Sequence, residues 1–211
     1  MLIDVLLSSG SLQAKLPFVL SWIIAIAIAL TVHEFAHAKR ADAAGDPTPR
    51  SQGRISLNPI DHYDPIGTTM IVLFGIGWGK PVQVNPLLFR NPRWDGIMVA
   101  LWGALANLIT AAAFAIPIRL GVAGAYLLPL MIIVQLNIVL AFFNLLPVGP
   151  LDGAAVLSGL LPPDKARRFD EFSARWGMLL LMAIIFIRPL GRALIWTPVA
   201  LLTSLLTGYP F

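Results

Sequence analysis

The stretch Leu16-Pro-Phe-Val-Leu-Ser-Trp-Ile-Ile-Ala-Ile-Ala-Ile-Ala-Leu-Thr-Val-His33-Glu-Phe-Ala-His37 decides the fold. No charged side chain occurs from Leu16 to His33. A hydrocarbon core about 30 Å thick takes about 20 helical residues to cross. The run therefore reads as a membrane span, about residues 16–41, that carries two histidines and a glutamate at its end. Ala25-Ile26-Ala27 mimics the small-residue site that ends a signal peptide. The apolar run continues past it into His33, so a retained span is expected.

Outward from this span the pattern repeats. Gly96 to Ile118 and Leu120 to Leu151 are free of charge, and Trp176 to Ile187 and Ala193 to Phe211 follow, divided by Arg188 and Arg192. Pro65 to Gly79 is shorter and glycine-rich and reads as a re-entrant segment. Pro81-Val-Gln-Val-Asn-Pro86 alternates apolar and polar residues, the signature of a short strand. The expected fold is an all-α polytopic membrane protein with four to six transmembrane helices and a short re-entrant, β-hairpin-like segment. One domain over residues 1–211 is expected, with the re-entrant segment and strand at about 65–86. Further spans are expected at about 95–119 and 125–147, and C-terminal spans at about 172–207.

Composition agrees. Of 211 residues, 57% are hydrophobic and only 12% charged, against about 25% charged in soluble domains. The mean hydropathy is +0.79. A soluble globule of this size has too much surface to hide so many apolar side chains. The arithmetic argues against an ordinary cytosolic enzyme and excludes a disordered chain and a coiled coil. Cysteine is absent, so neither a disulfide framework nor a cysteine zinc site can form.

The net charge is +4, and the basic residues fall in short clusters between apolar runs, a sign of topology rather than of nucleic-acid binding. Lys39, Arg40, Arg50 and Arg54 follow the first span. Lys80, Arg90 and Arg93 follow the re-entrant segment, and Lys165, Arg167 and Arg168 follow the long apolar run. The positive-inside rule places these clusters in the cytosol and the turn from Arg119 to Ala125 outside. Trp94, Trp176 and Trp196 lie near span ends, as interfacial anchors do.

The chemistry lies in His33-Glu34-Phe35-Ala36-His37, a complete H-E-x-x-H. On a helix the histidines stack one turn apart and aim two imidazoles at one metal ion. Glu34, beside the first ligand, is placed to take a proton from an activated water. Ionisable groups at membrane depth are costly and functional by default. A catalytic zinc takes three protein ligands. Asp61 and His62, on a polar loop, are candidates for the third, and Asp152 is the stronger one. From Gly96 to Pro163 only Arg119 and Asp152 are charged. Asp152 follows Asn144-Leu-Leu-Pro-Val-Gly-Pro-Leu, where prolines and a glycine free backbone that membranes tolerate only around a cavity or inside protein. Capping a helix from Gly153 to Leu160 is the structural alternative for Asp152, and the two roles can coexist. Asn107, in Gly103-Ala-Leu-Ala-Asn107, reads first as helix packing. Gly75-Ile-Gly-Trp-Gly-Lys80 is not a phosphate loop, because Phe74 and Pro81 break that pattern.

These motifs together resemble the site-2 protease family of intramembrane zinc metalloproteases. The matching stretches are His33–His37, Gly53-Arg-Ile-Ser-Leu-Asn-Pro59, Gly77-Trp-Gly-Lys-Pro-Val82 and Asn144–Gly153, in the family's order. The resemblance implies one zinc per chain held by His33, His37 and Asp152, with Glu34 as general base. It implies that Asn144 contacts the substrate or the oxyanion and that Asn107 lies near the site. No stretch between His37 and Asp152 is left for a PDZ domain, and none remains for a CBS pair, so the chain resembles the minimal subgroup. The implied activity is hydrolysis of single-span membrane proteins near the cytosolic side of a bacterial or archaeal plasma membrane. Pro81–Asn85 would receive the unwound substrate as an added strand. The lipid bilayer is a partner, nucleic acid is not, and a homo-oligomer is left open. The rival readings are a metal transporter and a catalytically inactive membrane scaffold. The first needs no Glu34, and the second would be expected to have lost Glu34 or a ligand.

Overall fold

The computed structural model describes residues 2–8 and 11–210. Phe211, the end of the last expected apolar run, lies outside the described residues. The helices in chain order are α1 (Leu2–Leu7), α2 (Leu12–Ala44), α3 (Thr48–Ser51), α4 (Gly67–Phe74), α5 (Pro92–Arg119), α6 (Leu127–Asn144), α7 (Asp152–Leu160), α8 (Pro163–Phe186), α9 (Arg188–Gly191) and α10 (Thr197–Thr207). A π-helical turn, Arg192–Trp196, joins α9 to α10.

Among the described residues four segments are long and apolar enough to cross a membrane: Gln13–Ala44, Pro92–Arg119, Gly124–Asn144 and Arg188–Thr207. At 1.5 Å per residue, α2 is about 50 Å long and projects beyond a hydrocarbon core. It stops at Gly45, whose φ of 112° is a backbone conformation suited to glycine. There the carbonyl of Ala44 accepts from Arg90 N–H at 2.9 Å. The start of α5 is encoded locally, with Pro92 in its first turn and Asn91 Oδ1 accepting from Trp94 N–H at 3.2 Å.

Helices α2, α5 and α6 pack on one another, and α7 lies against α5 and α8. The largest core cluster joins α5, α6 and α10 through Ala111, Ala115, Val134, Ile138 and Val199. Ala25 with Ile132 and Ile133 ties α2 to α6. The buried faces of α2 and α5 are rich in alanine, which lets helices approach where lipid offers no hydrophobic drive. Exposed Ile23, Ile24, Ile109, Ile116, Leu201 and Leu205 cover the outside of the bundle.

Two expectations change. The C-terminal region holds one candidate span rather than two. Trp176–Phe186 is the apolar end of α8, whose first half carries Asp164, Lys165, Arg167, Arg168, Asp170, Glu171 and Arg175. Those eleven residues of helix reach only about 17 Å, too short to cross. The expected strand at Pro81–Asn85 is also not formed. Among the described residues there is no β-strand, and in this segment Val82 N–H and Asn85 N–H donate to side chains rather than to a neighbouring strand.

The segment before it does turn back. Helix α4, at eight residues, is about 12 Å long and cannot span. The chain reverses after Gly75, where φ is 75°. Trp78 N–H then donates to Gly67 O at 3.3 Å and Lys80 N–H to His62 O at 2.9 Å.

Candidate metal centre

The centre is built on the last turns of α2. His33 and His37 share one face and are both buried. Their Nε2 atoms are 3.0 Å apart, with the rings edge to face at a centroid separation of 4.6 Å. Asp152 arrives from the other side of the bundle. After α6 the chain turns through Leu145–Leu151 and starts α7 at Asp152. That turn is fastened to α8 by Gly149 N–H, which donates to Ser173 Oγ at 3.0 Å. Gly153, in the first turn of α7, has to be glycine where the helix packs on that turn, since a Cβ there would collide with the carbonyls of Leu145 and Leu146. The turn brings Asp152 Oδ2 to 3.2 Å from His33 Nε2 and 3.1 Å from His37 Nε2. Asp152 does not cap α7. It is the first helical residue, and Leu151 takes the cap position without a side-chain bond.

Hydrogen bonds outside the triangle fix what faces into it. His37 Nδ1 lies 2.8 Å from the carbonyl oxygen of Val99. A carbonyl only accepts, so the proton of a neutral ring sits on Nδ1 and Nε2 presents a lone pair. His33 Nδ1 lies 2.8 Å from Asn107 Oδ1. Asn107 Nδ2 donates to the Ala29 carbonyl and to Asn137 Oδ1, each at 2.9 Å, and with both acceptors on the nitrogen Oδ1 accepts from His33, so His33 Nε2 is also bare. Asp152 Oδ2 is buried without a hydrogen-bond donor. Three electron-pair donors then surround one point with no proton among them, and a cation is what such a point holds. Ligands about 2.0–2.1 Å from a tetrahedral zinc stand about 3.3 Å apart, close to the observed triangle. Two imidazoles and a carboxylate are also a known catalytic zinc set. Among the described residues this is the group of three that could hold a metal ion.

Helix α5 forms the wall behind the histidines. Val99, Gly103 and Asn107 are spaced four apart on one face. A Cβ on Gly103 would fall nearest to His37 Nε2, and 2.6 Å from His37 Cε1 and 2.8 Å from His33 Cε1. Glycine is what allows α5 to approach the rings. Asn107 uses Oδ1 on His33 and both amide hydrogens on Ala29 O and Asn137 Oδ1. It holds a ring in place and has no hydrogen left for an oxyanion. Asn144 donates one amide hydrogen to Leu140 O at 3.0 Å in its own helix.

Glu34, about 100° around α2 from His33, faces the extended segment. Its Oε2 accepts from Val82 N–H at 2.8 Å and lies 4.0 Å from Arg54 Nη2. Arg54 is buried and donates to the carbonyls of Asp61, at 2.6 Å, and Lys80. Asn85 N–H donates to buried Asp46 Oδ2 at 2.7 Å. Residues 80–85 are thus pinned by Arg54, Glu34 and Asp46. Burial pushes the Asp46 carboxyl up. The bonds from Asn85 N–H and Thr48 outweigh that and hold it below the usual carboxylate range.

Asp61 and His62 do not join the triangle. His62 is buried in the loop after α3, with Nε2 donating to Ser56 O at 2.8 Å. The site residues that motif reading passed over are Gly103 as a steric requirement, Arg54, Val82 and Asn137. Gly103 and Asn107 were visible as a four-residue spacing. Nothing local marks Asn137, thirty residues from its partner.

A bundle with four helices apolar enough to cross a bilayer, and an H-E-x-x-H joined by a distant aspartate, defines a membrane-embedded metalloprotease class. The chain belongs to peptidase family M50, the site-2 protease family, whose model matches residues 122–184. It is 36% identical over 184 residues to "Putative zinc metalloprotease YwhC" of Bacillus subtilis (strain 168), covering 82% of this chain and 83% of that one. Two proteins named "Putative zinc metalloprotease Rip2" are also similar. The Mycolicibacterium smegmatis one is 28% identical, covering 78% of this chain and 66% of its own length. The Mycobacterium tuberculosis one is 29% identical, covering 77% and 64%. No solved structure matches the chain.

Proposed function

We propose that this metalloprotease cleaves single-span membrane proteins inside the bilayer, close to its cytosolic face. The observation that carries the reading is the cation-demanding triangle of His33, His37 and Asp152 at the end of an apolar span. One zinc per chain would be held by those three groups. When bound it would supply Lewis-acid activation of a water and of the scissile carbonyl.

The chain's own residues do the rest. Val99 and Asn107 hold the imidazoles in the tautomer that leaves Nε2 bare. Glu34 takes a proton from the attacking water and returns it to the leaving amine, so one water is consumed and one peptide bond is broken. Asn144, with one amide hydrogen committed to Leu140, offers the other to the developing oxyanion. A helical substrate hides its carbonyls in its own hydrogen bonds and must unwind before it can be attacked. Residues 81–85 lie beside Glu34, and an unwound substrate added there as a strand would run past the base. Lys39 and Arg40 follow His37 directly, and the positive-inside rule sets this end of α2, with its access for water, on the cytosolic side.

The test pairs zinc content with cleavage of a tagged single-span substrate in detergent. Glu34→Gln keeps shape and loses the base. Its zinc content should match wild type, while cleavage should fall by about 10²–10⁴-fold. Equal cleavage by wild type and Glu34→Gln refutes this role of Glu34. Zinc-loaded wild type that cleaves no membrane substrate, yet moves metal across vesicles, indicates a transporter.

A further inference from the structure

The hydrogen bonds around His33 do not end at Asn107. Asn107 Nδ2 donates to Asn137 Oδ1 at 2.9 Å, and Asn137 Nδ2 donates to the Ile133 carbonyl at 2.8 Å. Asn107 and Asn137 have no exposed surface. A carbonyl cannot donate, so Ile133 sets the orientation of Asn137 and leaves its Oδ1 as acceptor. That oxygen and the Ala29 carbonyl then take both hydrogens of Asn107 Nδ2. Only the Asn107 oxygen is left for His33, which forces the proton onto Nδ1. Every bond in the chain runs one way, from His33 to a main-chain carbonyl on α6.

We infer that Asn137 is a positioning residue for the metal centre, fixing the tautomer and ring angle of His33 through Asn107. This rests on the zinc site proposed above. The placement gives the chain a second consequence. Asn137 lies on α6, the helix that leads into the turn carrying Asp152, so the same bonds tie α2, which bears the two histidines, to the element that delivers the third ligand. An apolar residue at 137 would leave one hydrogen of Asn107 buried and unpaired, free to draw the amide away from His33.

The experiment compares Asn137→Leu with Asn137→Asp in the full chain. An aspartic acid can keep both bonds, its hydroxyl to Ile133 O and its carbonyl oxygen to Asn107. Zinc affinity is read by chelator competition. The His33 tautomer is read from imidazole ¹⁵N shifts in metal-free protein, with His37→Gln used to assign it. Asn137→Leu should bind zinc about 10–100-fold more weakly, the usual effect of losing a partner behind a ligand, and should show mixed Nδ1-H and Nε2-H forms of His33. Asn137→Asp should stay within about threefold of wild type, with the Nδ1-H form dominant. If Asn137→Leu does not fold, Asn137→Ser, too short to reach Asn107, takes its place with the same expectation. A variant lacking the bond that melts earlier but keeps wild-type affinity and a pure Nδ1-H tautomer shows that Asn137 only packs, and overturns the inference. A wild type that binds no zinc overturns instead the metal centre on which it rests.

Discussion

Alanine in place of Gly103 puts one methyl group against the Nε2–Cε1 edge of His37 and against Cε1 of His33, with the metal-facing nitrogen of His37 the nearest atom. The new Cβ would stand 2.6 Å from His37 Cε1 and 2.8 Å from His33 Cε1, where carbon atoms settle at about 3.5–4.0 Å. Relief takes a movement of about 1 Å, either of α5 away from α2 or of the rings away from their hydrogen-bond partners. Overpacking of this kind costs about 1–3 kcal/mol in stability. The effect on the centre is larger, because metal–ligand distances tolerate only about 0.2 Å. Zinc affinity is expected to fall about 10–100-fold, and cleavage by about 10²-fold, the penalty of a misplacement near 1 Å. Gly96→Ala is the matched control. It lies on the same helix, a Cβ there meets nothing within 4 Å, and alanine should stabilise the helix by about 0.5–1 kcal/mol. The assay is zinc retention through purification, followed by chelator competition and cleavage in detergent. Should Gly103→Ala behave like Gly96→Ala in all of these, the close approach of α5 to the imidazoles is not a requirement of the site.

Asp152→Ala should lose zinc, since the remaining pair of neutral imidazoles neither completes the set nor balances the charge. Metal analysis showing full retention would move the third-ligand role elsewhere. A cysteine placed at Ser51, in a chain with no native cysteine, should resist an impermeant reagent in intact cells and react after permeabilisation, while one at Gly121 should react from outside. Labelling of position 51 in intact cells contradicts the cytosolic assignment. Asp46 has a folded-state pKa below its unfolded value of about 3.9. Its share of stability is therefore complete above about pH 4 and is lost as pH falls through the folded pKa. Asp46→Asn should flatten that acid limb of thermal stability in detergent, and an unchanged limb would show that the Asn85 contact does not depend on the charge.

The candidate spans that begin at Gln13, Pro92 and Gly124 were legible because the bilayer leaves the sequence few options. Where water is missing, backbone groups must pair within the helix, and uninterrupted apolar runs follow. The same restriction made the centre legible. H-E-x-x-H is a local pattern on a helix, and Asp152 stood out as the one acid between Gly96 and Pro163. What joins them is not local. A turn of prolines and glycines does not state where it will deliver a carboxylate, and the resemblance of Asn144–Gly153 to a family motif was needed to assign it. Trp176–Ile187 misled for a related reason. Apolar composition was visible there, but the length of the apolar face was set by the charged first half of α8.

Residues 80–85 show the limit most sharply. Their alternation reads as strand, a pattern that reports which faces two sets of side chains occupy and not what the backbone bonds to. Here Lys80 O, Val82 N–H and Asn85 N–H are taken by Arg54, Glu34 and Asp46, three charged side chains from earlier in the chain. A charged group out of water is costly unless it is paired or hydrogen-bonded, so each of these side chains gains by holding a main-chain dipole. The segment gains a fixed position without any neighbouring strand. Under the proposed mechanism the base is itself one of those three anchors. Glu34 has two carboxylate oxygens, so Oε2 can keep the bond from Val82 N–H while Oε1 takes the proton from water and returns it to the leaving amine. In that proposal the 2.8 Å bond from Val82 N–H aims the base, and a substrate strand docking along residues 81–85 would bear on the same bond.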